Sequence, residues 1–149
     1  MSERSLQIGL VFFGLLNLLT GLSQLLAPGW FFDNIGPYGL QNDHYIGDVG
    51  AFYIAAGAAL LLSVSRPGWR PPLLYMSAAW YAIHAINHAF TVGDDNKSDA
   101  HGIAQTILLA IGAAALAYMA SASDRGESGS GLPGSRGLPP RPPDYPPGD

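Results

Sequence analysis

Polar and apolar positions fall in long blocks along this chain, not in the short alternations of a water-soluble fold. No Asp, Glu, Lys or Arg occurs in residues 5–32, 49–65, 71–93 or 100–123, stretches of 28, 17, 23 and 24 residues. A surface helix of such length in water carries a charged face. A bilayer is spanned by roughly 20 apolar residues. The blocks therefore predict four transmembrane helices, at about 6–27, 43–64, 72–92 and 99–120.

Turn chemistry bounds each segment. Pro28-Gly29 stops the first, and Asn42 caps the second, which Arg66-Pro67-Gly68 ends. Pro71-Pro72 suits the start of the third and Gly93 its end, while Ser98 or Asp99 caps the fourth. Arg4 before an apolar run has the look of a secretory leader. The run is too long and lacks a small-x-small cleavage site, so a retained helix is expected. The loop at 28–42, with Trp30, Phe31, Phe32 and Tyr38, suits the bilayer interface and leaves room for a short interfacial helix.

Within each segment, small and polar residues share one face, which marks the side packed on protein. The stripes are Gly14, Asn17, Gly21 and Gln24 in the first helix, and His44, Asp48, Ala51, Ala55 and Ala59 in the second. Ser77, Tyr81, His84 and His88 form the third, and His101, Gln105, Leu108 and Gly112 the fourth. Asn17 and Gln24 are expected to bond across helices.

Composition changes the picture at one place. The mean hydropathy of +0.19 is modest for a membrane protein. Residues 122–149 hold 7 of the 12 Pro and 6 of the 19 Gly, with three Arg and four acids, which lowers the mean. Such a segment buries too little to order itself, and Pro139–Pro143 favours extended polyproline II. The expectation is an all-α membrane domain at 1–121 and a disordered tail at 122–149. The chain has no Cys, which excludes disulfides and thiolate chemistry. The net charge of −4 lacks any basic run, so nucleic acid is not an expected partner. The bilayer is, together with a homo-oligomer or a membrane partner subunit.

The charge asymmetry orients the bundle. Arg4, Arg66, Arg70, Arg125, Arg136 and Arg141 fall on one side and Lys97 on the other. A multi-pass plasma-membrane protein with both termini in the cytoplasm is expected.

All four His then fall at the outer end. An i, i+4 pair points two side chains the same way. His44 and Asp48 on one helix, with His84 and His88 on the next, offer three imidazoles and a carboxylate at one level. His101 stands nearby as an additional candidate. That donor set suits Zn, Fe or Cu, and ionisable groups inside a membrane segment point to function. Four alternatives stay open: a polar knot that only locks the helices, one haem held by two His, a proton relay, and a small-ligand site. Tyr45 and Tyr81 flank the cluster. A ferritin-like di-iron centre needs several Glu within the helices, and the only Glu residues are Glu3 and Glu127. No residue is assigned a catalytic role.

The string from Asn42 to Ala51, NDHYIGDVGA, followed by Pro71-Pro72 and His84-x-x-x-His88, resembles the small DoxX-like membrane proteins of bacteria. The likeness covers about residues 6–120. It implies a polytopic plasma-membrane protein, in a group sometimes linked to quinone or redox partners. The function expected is therefore a metal- or cofactor-binding membrane component. A structural subunit and a small-solute carrier acting as a homo-oligomer stand as the other readings.

Overall fold

The computed structural model describes residues 1–94, 96 and 98–130. The described chain is all-α. It consists of α1 (Glu3–Leu26), α2 (Pro28–Asn34), α3 (Asp43–Ser63), α4 (Arg70–Phe90) and α5 (Asp99–Ser130), with single 3-10 turns at Pro67–Trp69 and Val92–Asp94. Three of these helices, at Glu3–Leu26, Asp43–Ser63 and Asp99–Arg125, are long and apolar enough to cross a membrane.

The caps expected at Asn42 and Ser98 form, with Asn42 Oδ1 accepting from Tyr45 N–H and Ser98 Oγ from His101 N–H. Ser2 Oγ, which accepts from Ser5 N–H, caps α1 as well. Pro28 begins the short α2 directly after α1 ends. Three boundaries differ from the expectation. Helix α1 starts at Glu3, three residues before Leu6, behind a Ser2 cap. Helix α4 starts at Arg70 because Pro71 and Pro72 occupy its first turn. Helix α5 continues past Ala120 to Ser130. Met119, Ala120 and Ser123 are buried, and Asp124 accepts a hydrogen bond from Tyr75, so packing carries the helix into the stretch expected to be tail. The tail expectation for 131–149 lies outside the described residues.

The long helices form two tight antiparallel pairs, α1 with α3 and α4 with α5, joined by lighter α3–α4 and α1–α5 contacts. The first pair is a glycine seam. A Cβ at Gly21 would lie 2.5 Å from Gly50 O, and a Cβ at Gly57 would lie 2.7 Å from Gly14 O. Gly14 and Gly21 therefore meet Gly57 and Gly50, with the same seven-residue spacing on each helix run in opposite senses. Only hydrogen at these positions lets the two backbones touch.

This seam corrects the face expected for α3. Its buried residues are Gly50, Tyr53, Ala56, Gly57, Leu60 and Ser63. His44, Asp48, Ala51 and Ala55 are exposed on the other side. Both stripes are small, and the one that matches the glycines of α1 is the one that packs. The faces expected for α1 and α4 are the buried ones. On α5, Gly112 is buried under the Tyr81 ring, whereas Leu108 is 67% exposed.

The two ends of the bundle differ. The apolar core, centred on the fully buried Leu10, Leu60, Leu74 and Leu116, fills the half towards the arginine-rich end. There Arg70, itself 4% exposed, donates from Nε to Ser63 O, from Nη2 to Val64 O and from Nη1 to Glu3. It caps the last carbonyls of α3 and ties them to the first turn of α1. The other half, towards the loops at 35–42 and 91–98, holds the buried His88 and Gln24.

Candidate functional site

The polar half contains one continuous hydrogen-bond chain. The Tyr53 hydroxyl lies 3.1 Å from His84 Nδ1, His84 Nε2 lies 3.0 Å from His88 Nε2, and His88 Nδ1 lies 2.8 Å from the Tyr38 hydroxyl. Each member comes from a feature already described. The glycine seam turns Tyr53 inward from α3, and i, i+4 spacing stacks His84 over His88 on α4. Tyr38 arrives from the loop after α2. Tyr53 sits roughly 15 Å along α3 from its first residue, at ~1.5 Å per residue. The chain thus runs from a loop to mid-bundle.

Rings wall the chain. The His84 and His88 centroids are 4.7 Å apart, Tyr38 meets His88 edge-on at 4.6 Å, and Trp80 packs between Tyr53 and His84 at 5.9 and 5.6 Å. His88 and Tyr53 are 7% and 6% exposed. The chain stops at Tyr53, before the leucine layer.

Helix α5 holds the loop end in place. Gln105 Nε2 donates to Ile35 O, and the His101 ring lies 3.3 Å from the same oxygen and 2.8 Å from Gln105. Asn96 donates from its backbone to Pro37 O and from its side chain to Gly39 O. These contacts bracket Tyr38 on both sides. A Cβ at Gly102 would lie 3.3 Å from the Tyr38 hydroxyl, so the ring is also seated against α5. His101 therefore positions the loop that delivers Tyr38.

The five residues expected as one ligand set divide into three groups. His84 and His88 form the core of the chain. His44 Nε2 lies 3.6 Å from Asp48 Oδ2, with side chains 81% and 65% exposed, on the far face of α3. His101 belongs to the loop clamp. Among the described residues, no group of three or more His, Asp or Glu side chains is placed to hold a metal ion. The reason is the rotation of α3: burying Tyr53 turns His44 and Asp48 outward. Tyr45 is 68% exposed. Asn17 does bond across helices, donating 3.2 Å to the Tyr81 hydroxyl and 2.7 Å to Phe13 O. Gln24 Oε1 is buried with no hydrogen-bond partner.

Tyr53, Tyr38 and Arg70 were not singled out by sequence reasoning as site or core residues. Tyr53 carried a usable signal, since Gly50, Tyr53, Gly57 and Leu60 repeat at 3-4-3 spacing. Tyr38 carried none, because only the fold brings residue 38 to residue 88.

With both imidazoles neutral, each of the four members donates once or accepts once at each contact, and all donors can point either way. Reversing them shifts a proton along the chain without losing a contact. With one added proton, His88 donates from both nitrogens, to Tyr38 O and to His84 Nε2. His84 then donates from Nδ1 to Tyr53 O. All three contacts survive. With two added protons, both Nε2 atoms carry hydrogen and the central contact becomes repulsive. The geometry can therefore accommodate one extra proton with every contact kept, and disfavours a second. No protein-family model, curated protein or solved structure matches this chain.

Proposed function

We propose that this is a four-span protein of the plasma membrane with both termini cytoplasmic. Its Tyr38–His88–His84–Tyr53 chain is a proton-responsive element at the outer end of the bundle. The observation that carries the reading is the unbroken chain, which accepts one proton with every contact kept.

Helix α4 is the fourth span in this reading. Its average apolarity is lowered by Arg70, Ser77, Tyr81 and His88, and these four are buried against protein. A helix whose polar residues face inward presents an apolar surface to lipid. The even number of spans agrees with the six-to-one distribution of positive residues. Membership of the DoxX-like group is part of the same proposal, on the string at 42–51 and the two His of α4.

A proton suits the pair better than a metal. All four imidazole nitrogens already face hydrogen-bond partners, and no third ligand joins them among the described residues. The leucine layer beneath Tyr53 supports a sensor, or a polar lock between helices, over a through-going proton path.

The test is a titration of histidine-labelled protein in lipid nanodiscs, followed by nitrogen NMR over about pH 4 to 8. The expected result is uptake of one proton shared by His84 and His88. Loss of Tyr38 should shift that uptake, because a neutral phenolic oxygen no longer receives the Nδ1 proton. Two independent, complete protonations of the pair would overturn the reading.

A further inference from the structure

The far face of α3 carries a second pair of ligating side chains that the chain above does not use. His44 and Asp48 are separated by 3.6 Å and stand exposed beside Ala51 and Ala55. Asp48 lies roughly 7 Å along the helix from Asp43, at ~1.5 Å per residue. A carboxylate turned towards lipid at that depth is costly unless something covers it.

We propose that a second copy of this chain covers it. Two α3 helices meet about a two-fold axis, and His44 and Asp48 with the partner's His44 and Asp48 hold one zinc ion. Four observations support this. First, neighbouring ligands of a tetrahedral zinc with ~2.0–2.1 Å bonds are about 3.3 Å apart. The 3.6 Å between Nε2 and Oδ2 is close to that bite. Second, one chain supplies two ligands and zinc takes four. A two-fold contact places the same patch on both sides, so the site completes itself. Third, two carboxylates neutralise the dication at the edge of the hydrocarbon, and each imidazole stays neutral, as ligation requires. Fourth, Ala51 and Ala55 continue the stripe from Asp48 at 3-4 spacing and let the two backbones approach. This site is independent of the His84–His88 pair and of its proton chemistry.

The experiment uses the full chain in detergent, stripped with a chelator and then given Zn²⁺ alone. Mass by light scattering and zinc content by elemental analysis are read together. The expected result is a dimer with about one zinc per two chains, which dissociates on chelation. H44Q and D48N should each weaken zinc retention about tenfold or more and shift the protein to monomer. A51L with A55L should block both dimer and zinc while leaving the ligands in place. H84Q should change neither. All these positions but His84 are exposed, so unchanged melting without zinc confirms an intact fold in each variant. A monomer that retains no zinc overturns the proposal. So does one zinc per chain, a dimer indifferent to chelation and to D48N, or zinc lost with H84Q. Except for zinc lost with H84Q, which would place the metal on the His84–His88 pair, these outcomes leave the one-proton titration untouched, so the two readings fail separately.

Discussion

Arg70 is the residue on which the arginine-rich end depends. Its guanidinium donates to Val64 O and to Ser63 O, the latter also accepting a turn bond from Arg66 N–H, while its ion pair with Glu3 reaches a side chain that is 60% exposed. Exposed pairs contribute about 0–1 kcal/mol, whereas hydrogen bonds from a charged group contribute about 1.5–3 kcal/mol each. With two such bonds lost, R70A is expected to cost about 3–6 kcal/mol in detergent unfolding and E3Q under about 1 kcal/mol. Equal losses for the two variants would show that the ion pair, not the carbonyl cap, holds this end. In the polar half the balance runs differently. Hydrogen bonds between membrane helices average about 0.6 kcal/mol. Y53F should lower stability by only about that amount while changing proton uptake by the His pair. A large stability loss with unchanged titration would favour the polar lock.

Among the elements, the α1–α3 pair has the least tolerance. At Gly21 a methyl group would meet the backbone of α3 on two atoms, Gly50 O at 2.5 Å and Ile54 N at 2.7 Å. Neither can move without shifting a helix. Overpacking of this kind costs about 1–3 kcal/mol, so G21A and G57A should each lower thermal stability by that much. Gly68 and Gly93 have nothing within 4 Å of the same methyl. G68A should be close to neutral in the same melting assay. If G21A and G68A behave alike, the seam is not the contact that fixes α1 on α3. The seam also sets the rotation of α3, and so decides that Tyr53 faces α4.

For the whole molecule, the decisive quantity is the number of crossings. With four, the chain ends lie on one side; with three, they lie on opposite sides. A cysteine at Gly39 should react with an impermeant reagent added to intact cells, and one at Ser130 should not. Labelling at both would mean an odd number of spans, and the reverse pattern would invert the orientation. Gly39 suits the probe because it is exposed, although its φ of 60° favours glycine, and neighbouring Leu40, 96% exposed, is the alternative position. A G102V variant tests the molecule's other long-range contact. Crowding the Tyr38 hydroxyl should release the loop and move His titration towards that of Y38F.

Much of this protein follows from its sequence. Four charge-free blocks determine four long helices, because no such segment can show a polar face to water. Asn42, Ser98 and the prolines at 71–72 mark where three of them start and Pro28 where the first ends, because capping and proline geometry act within a few residues. The inward faces of α1 and α4 follow from their own polar stripes. The rest was decided only in three dimensions. Helix α3 carries two stripes of small residues, and its own periodicity cannot rank them. The glycines of α1 choose between them, and that choice turns Tyr53 inward and His44 and Asp48 outward. Tyr38 reaches His88 because α5 clamps its loop, a contact with no local signature. Arg70 reads as one more positive charge until its neighbours are known. In each case a local pattern offered the groups, and close packing of one helix on another decided which of them meet.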